Sequence, residues 1–136
     1  MCAHLVRSPG DYDVICTTNM FGDILSDLAS ELAGSLGLAA SLNAGDDRAM
    51  AQAQHGSAPD IAGQDIANPA SLIGSTGMLL DWIGTRKGLT ALNDAAQAID
   101  TALETVLSDP AQRTRDLGGT IGTTDFAHRL AQVVSA

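Results

Sequence analysis

A chain of 136 residues has room for one ordinary domain with one core and little for a second. Hydrophobic residues make up 45% but aromatics only 3%, and glycine reaches 14 residues, so a closely packed, mostly aliphatic core is expected. Seven Lys and Arg residues against a formal net charge of -9 exclude the clustered cations that nucleic acid or an anionic membrane surface demands.

Residues 1–7 read as the end of a helix stopped by Pro9 and Gly10, and Tyr12 to Thr17 read as a short buried strand. Cys16, inside that apolar run, is most simply a small core residue. Cys2 and Cys16 form neither a metal-ligand spacing nor a disulfide framework, so a reducing, cytoplasmic setting is expected. The segment MCAHLVRSPG carries no apolar stretch of signal-peptide or membrane-spanning type.

Helical spacing of Phe21, Ile24, Leu25, Leu28 and Leu32 predicts a helix over 20–33. A glycine-rich stretch follows from Gly34 to Gly45 with a strand around Leu38 to Leu42, and residues 46–68 read as a long loop. That loop exceeds the usual length of a plain connection, which points to function. Asn68 and Pro69 announce the next helix, with Leu72, Ile73, Leu79, Leu80 and Ile83 as its buried face and Gly84 as its end. Leu92, Ala96, Ile99, Leu103 and Val106 form an apolar stripe within a helix over 89–107, closed by Asp109 and Pro110. The last helix is expected over 124–134. The glycines from Gly118 to Gly122 follow a helix end and not a strand, so they read as a turn leading into it and not as a phosphate loop.

Two stretches carry the chemistry. In NMFGDILSD, Asp23 and Asp27 stand one turn apart on the polar side of their helix, about 40° from each other around its axis. Like charges at that spacing repel and invite a cation, and hard Mg²⁺ or Mn²⁺ is often held by one or two carboxylates. The plainer reading is a solvated acidic face. The second stretch is HGSAPDIAGQDIAN, within the predicted loop.

The segments HLVRSP, YDVI, TTNMFGDILSD, GSLGLA, HGSAPDIAG, IANP and DLGGTIGTTDF, in this order, resemble the isocitrate/isopropylmalate dehydrogenase family, on its 3-isopropylmalate side, over essentially the whole chain. The resemblance implies an α/β fold of which this chain is the helix-rich C-terminal part. Residues 1–36 would be the tail of the second, metal-binding and dimerisation domain, and residues 37–136 the C-terminal half of the NAD-binding domain. It implies oxidation and decarboxylation of a small 2-hydroxy acid, as in leucine biosynthesis, with NAD and Mg²⁺ or Mn²⁺, in a homodimer. Isocitrate, homoisocitrate and tartrate are alternative substrates.

By the same resemblance, Asp23 and Asp27 match two of three metal-binding aspartates, the third falling two positions before Met1. The loop residues His55, Gly56, Ser57, Ala58, Pro59, Asp60, Ile61, Ala62 and Gly63, with Asn68, would surround the adenosine half of the cofactor. Asp60 would accept from a free ribose and repel a 2′-phosphate, favouring NAD over NADP. Gln52, Ala53 and Gln54 depart from the E-P-V that usually precedes H-G. No catalytic residue is assigned, because the family's lysine and tyrosine have no match: Lys87 follows a predicted helix end and Tyr12 opens a predicted strand. A folding or dimerisation module without activity of its own is the competing expectation.

Overall fold

The computed structural model describes residues 1–135. Among the described residues, five α-helices and one small sheet are joined by 3₁₀ turns: α1 is Cys2–Arg7, α2 Asn19–Ala33, α3 Ala70–Lys87, α4 Thr90–Ser108 and α5 Thr123–Val134. Strands β1 (Ala40–Ala44) and β2 (Ala49–Ala53) pair antiparallel, with Leu42 opposite Ala51. The helix-rich character expected from the sequence is thus observed.

Helix α3 is the centre of the arrangement, lying against β1 and β2 on one side and against α4 on another, while α5 packs on α4. Its buried residues are Ala70, Ser71, Gly74, Ser75, Gly77 and Gly84. This corrects the expected leucine face: Leu72 is exposed, and Ile73, Leu79, Leu80 and Ile83 are only half-buried. The reason is distance. A Cβ at Gly84 would stand 2.5 Å from Asn93 Oδ1, and one at Gly74 would stand 3.2 Å from the Cβ of Ala40, so neighbours approach the helix where side chains are missing.

Small side chains also allow the helix to hydrogen-bond the sheet. Ser71 Oγ donates to Ala39 O and accepts from Gln54 N at 3.3 Å. Ser75 Oγ accepts from Ser41 N at 3.0 Å and lies 2.7 Å from both Gln52 O and Ser71 O. Both serines are buried, and among the described residues no buried side-chain nitrogen or oxygen lacks a partner. The main apolar cluster lies beside this seam: Ala70, Ala102, Val106, Phe126 and Leu130, flanked by Leu38, Ile73 and Leu103.

Several boundaries shift from the sequence reading. Strand β2 lies inside the expected loop 46–68; its Ala, Met and Gln residues carry little strand propensity, and its partner and α3 impose the conformation. The strand expected over 38–42 begins at Ala40, after a 3₁₀ turn at Leu36–Leu38. The run Tyr12 to Thr17 forms no strand, because among the described residues none pairs with it, and an unpaired strand leaves its backbone groups unmatched. Val14 is 86% exposed and Cys16 is exposed too, so Cys16 is not a core residue. Helix α3 runs past Gly84 to Lys87, which ends the helix and does not follow it, and Gly88 at φ 65° supplies the left-handed cap.

Phe126 is fully buried and is the largest side chain in the core. Phe126→Ala is expected to lower folding stability by about 3–5 kcal/mol, read from the denaturant midpoint.

Candidate functional site

An open cleft of about 750 Å³ lies between the end of α2, the turn at Ser35–Gly37, the loop from His55 to Asn68, and the segments around Asp116 and Thr123. Of the ten loop residues singled out in the sequence, His55, Gly56, Ser57, Ala58, Ile61, Ala62, Gly63 and Asn68 line it. Pro59 and Asp60 do not; they begin the 3₁₀ turn Pro59–Ile61 at an exposed position.

The loop has a strained backbone. Among the described residues, the non-glycine residues with positive φ are Ala58 at 40° and Asp65 at 54°, and both lie in this loop, with Gly63 at 75° between them. Such conformations persist where surrounding contacts impose them, and they concentrate at ligand-binding segments. The contacts are visible here: Gln64 Nε2 donates to Asp60 O at 2.8 Å, and His55 Nδ1 lies 2.9 Å from Gly56 O.

Asp65 fastens the loop to α5. Its Oδ1 accepts from Thr124 N at 2.9 Å and Thr124 Oγ1 at 2.7 Å, its carbonyl accepts from Thr123 N at 3.1 Å, and Thr123 Oγ1 donates to Ala67 O at 2.5 Å. A remote carboxylate thus caps a helix whose own preceding residue, Gly122, has no side chain to do so. A Cβ at Gly122 would collide with Asp65. The Thr124 hydroxyl, then the Thr124 N–H, hold the Asp65 carboxyl below its ordinary range against a small opposing effect of desolvation.

A second carboxylate gathers the cleft wall. Asp116 Oδ2 accepts from Ser35 Oγ at 2.5 Å and Asn68 Nδ2 at 2.9 Å, while Oδ1 accepts from Thr114 Oγ1 at 2.5 Å. Ser35, Asn68 and Thr114 are all buried, so three polar groups withdrawn from solvent find the same acceptor. Burial pushes the Asp116 carboxyl up, but the donors Ser35, Thr114 and Asn68 outweigh it and leave it below the ordinary value. Gly37 makes room, since a Cβ there would stand 2.9 Å from both Asn68 Cβ and Asp116 Oδ2. Asn68 Oδ1 also accepts from Ala70 N at 3.0 Å; the helix begins one residue later than expected, with Pro69 in the cap position, and Asn68 serves its first N–H from just outside.

Asp23 and Asp27 lie exposed on α2, and Gln54 Nε2 reaches Asp27 Oδ1 at 3.5 Å. Neither aspartate is among the residues lining the cleft. Among the described residues no group of three or more His, Cys, Asp or Glu is placed to hold a metal ion. Asp23 and Asp27 offer hard carboxylate oxygens, the ligand type that Mg²⁺ and Mn²⁺ take, and by themselves fall short of a full shell. Sequence reasoning had not singled out Ser35, Asp65, Asp116 or Thr123; Asp116 opens the DLGG motif, but its partners are 81, 48 and 2 residues away.

The isocitrate/isopropylmalate dehydrogenase family model matches residues 1–130. This chain belongs to that family. It is 46% identical over 99% of its length to the isocitrate/homoisocitrate dehydrogenase of Thermus thermophilus, and 47% identical over 97% to the 3-isopropylmalate dehydrogenase of Deinococcus radiodurans. It spans 38% and 35% of those relatives. The crystal structure of isocitrate dehydrogenase from Methylococcus capsulatus superposes with a TM-score of 0.90 at 42% identity, covering 99% of this chain and 38% of that one. Near-equal identity to relatives with different substrate names leaves the substrate open within the family. No helix among the described residues is long and apolar enough to cross a membrane.

Because Asp65 titrates below its unfolded value of about 3.9, the stability it contributes is fully present above that value and is lost as pH falls through the lowered folded value. Asp65→Asn keeps the left-handed conformation and an acceptor oxygen but not the charge. The variant is expected to melt below the wild type at pH 7, the difference shrinking towards pH 2 in calorimetric scans.

Proposed function

We propose that the cleft holds the adenosine half of NAD, and that the chain is part of a metal-dependent dehydrogenase that oxidises and decarboxylates a small 2-hydroxy acid. The observation that carries this reading is the loop: eight of its ten singled-out residues line one cleft, and its backbone is held in strained conformations beside glycines. Gly56 and Gly63 give the dinucleotide close access to backbone. Residues 1–36 would belong to the metal-binding and dimerisation domain and residues 37–136 to the cofactor domain. Substrates of the isopropylmalate, isocitrate, homoisocitrate or tartrate type all suit this reading, with isopropylmalate our first choice. A soluble enzyme of the cytoplasm is the corresponding setting.

Asp60 is proposed to select NAD from the rim of the cleft, where an exposed carboxylate accepts from a ribose hydroxyl and repels a 2′-phosphate. Asp23 and Asp27 are proposed to hold the divalent cation together with oxygens from outside this set. When bound, the cation supplies Lewis acidity at the oxygens of the hydroxy acid. The acid and base groups are not assigned to this chain: Lys87 and Tyr12 are both absent from the cleft lining. Binding without turnover is therefore the expected behaviour of these 136 residues by themselves.

Helix α2 supports the homodimer. It contains no buried residue, and Met20, Phe21, Ile24 and Leu32 are 63%, 55%, 52% and 44% exposed on its apolar side. That much uncovered apolar surface on one helix favours a second copy across it.

Calorimetric titration with NAD and NADP tests the cofactor reading: NAD is expected to bind more tightly, and Asp60→Lys to reverse or erase the preference. Preference for NADP in the wild type would refute the role of Asp60. In the same instrument, Mg²⁺ or Mn²⁺ is expected to bind weakly or not at all, since the shell is partial; tight stoichiometric binding abolished by Asp27→Asn would show it complete. Sedimentation at micromolar concentration is expected to give a dimer or larger species that Ile24→Glu shifts towards monomer.

A further inference from the structure

The Asn68 side chain is bound at both ends by groups that can act in only one sense. Ala70 N–H can only donate, and it meets Asn68 Oδ1 at 3.0 Å; an ionised carboxylate can only accept, and Asp116 meets Asn68 Nδ2 at 2.9 Å. An amide is otherwise close to symmetric in shape, and its oxygen and nitrogen exchange places by a half-turn of the terminal torsion. Here that half-turn would set oxygen against carboxylate and N–H against N–H. Asp116 is itself kept from turning away by Ser35 Oγ on the same oxygen and Thr114 Oγ1 on the other. The donors that hold it also keep it ionised, in agreement with its lowered pKa.

Asn68 lines the cleft. After these two bonds its amide keeps one N–H and one oxygen lone pair, in a fixed order. An adenine edge offers an amino donor beside a ring-nitrogen acceptor, whereas hypoxanthine offers a carbonyl acceptor beside a ring N–H donor. The two bases have nearly the same shape and opposite hydrogen-bonding order. A freely turning amide would accept both, and a fixed one matches only one of them.

We propose that Asp116 is a positioning residue which, by locking the amide of Asn68, makes the cleft discriminate adenine from hypoxanthine in the dinucleotide it binds. This rests on the cofactor reading above and adds the residue that sets base specificity. A site built to satisfy a particular pattern of donors and acceptors rejects an analogue that leaves buried groups unpaired. Asp116→Asn replaces a group that only accepts with one that donates or accepts, so one of the two groups that fix the amide of Asn68 no longer opposes the half-turn, while Ala70 N–H still does and shape and neighbouring donors are retained.

The test is titration calorimetry of the 136-residue chain with NAD and with nicotinamide hypoxanthine dinucleotide, for the wild type, Asp116→Asn and Thr114→Val. The wild type is expected to bind NAD at least about tenfold more tightly than the hypoxanthine analogue. Asp116→Asn is expected to lower the ratio at least about threefold, chiefly by gaining affinity for the analogue, which a merely loosened fold would not do. Thr114→Val, which removes a donor from the far oxygen of Asp116, is expected to keep most of the discrimination. Equal wild-type affinity for the two dinucleotides overturns the proposal with no variant needed, and so does a folded Asp116→Asn that keeps the wild-type ratio. A wild-type chain that binds neither overturns the cofactor reading and this inference with it.

Discussion

The contact between the serine hydroxyls of α3 and the backbone of the two strands is the interaction on which the rest of the structure depends. A two-stranded sheet of five residues a side is marginal by itself in water, and β1 and β2 are poor in β-branched residues. Ser71 and Ser75 supply what those sequences lack, joining helix to strand at Ala39, Ser41, Gln52 and Gln54. Only a helix face made of serine and glycine can come this close. The leucines that the periodicity of α3 would bury are displaced to its flanks for the same reason.

The cleft inherits its shape from that seam. His55 leaves the sheet just after Gln54, which is tied to Ser71, and Asn68 enters α3 through its bond to Ala70. Both ends of the loop are thus pinned to one helix, and its middle is pinned to α5 by Asp65. A segment so fixed would lose little further conformational freedom on meeting a ligand, which is the physical content of preorganisation. Of its strained residues, Ala58 lies between those anchors and Asp65 is itself one of them.

Much of this was legible in the sequence because it is local. The helix over 20–33, the apolar stripe from Leu92 to Val106 and the cap at Asn68 all follow from spacing within one or two turns. The order of the family motifs located the loop, and eight of the ten residues singled out in it do meet at one cleft. What could not be read is non-local. Nothing in AMAQA marks a strand until Ala40–Ala44 is beside it, and nothing in YDVICT says that no described strand pairs with it. Asp116 looks like an ordinary acid in a glycine-rich turn until the fold brings Ser35 and Asn68 to it. Gly84 looks like a stop because exposed glycine ends helices; buried against Asn93 it continues one.

Because the described sheet consists of β1 and β2 alone, each strand has an outer edge whose backbone groups have no ladder partner. Any segment that extends the sheet must match a ready-made grammar. Along β2 the half-buried positions Ala49, Ala51 and Ala53 alternate with exposed Met50 and Gln52, and the helix beneath stands at a distance set by serine and glycine. A joining strand would therefore carry alanine-sized residues on its inward face, while its outward face could be of almost any size. A slip of one residue would drive the large side chains into a gap that holds none, so the close packing of one helix also writes the register of strands that come to lie beside it.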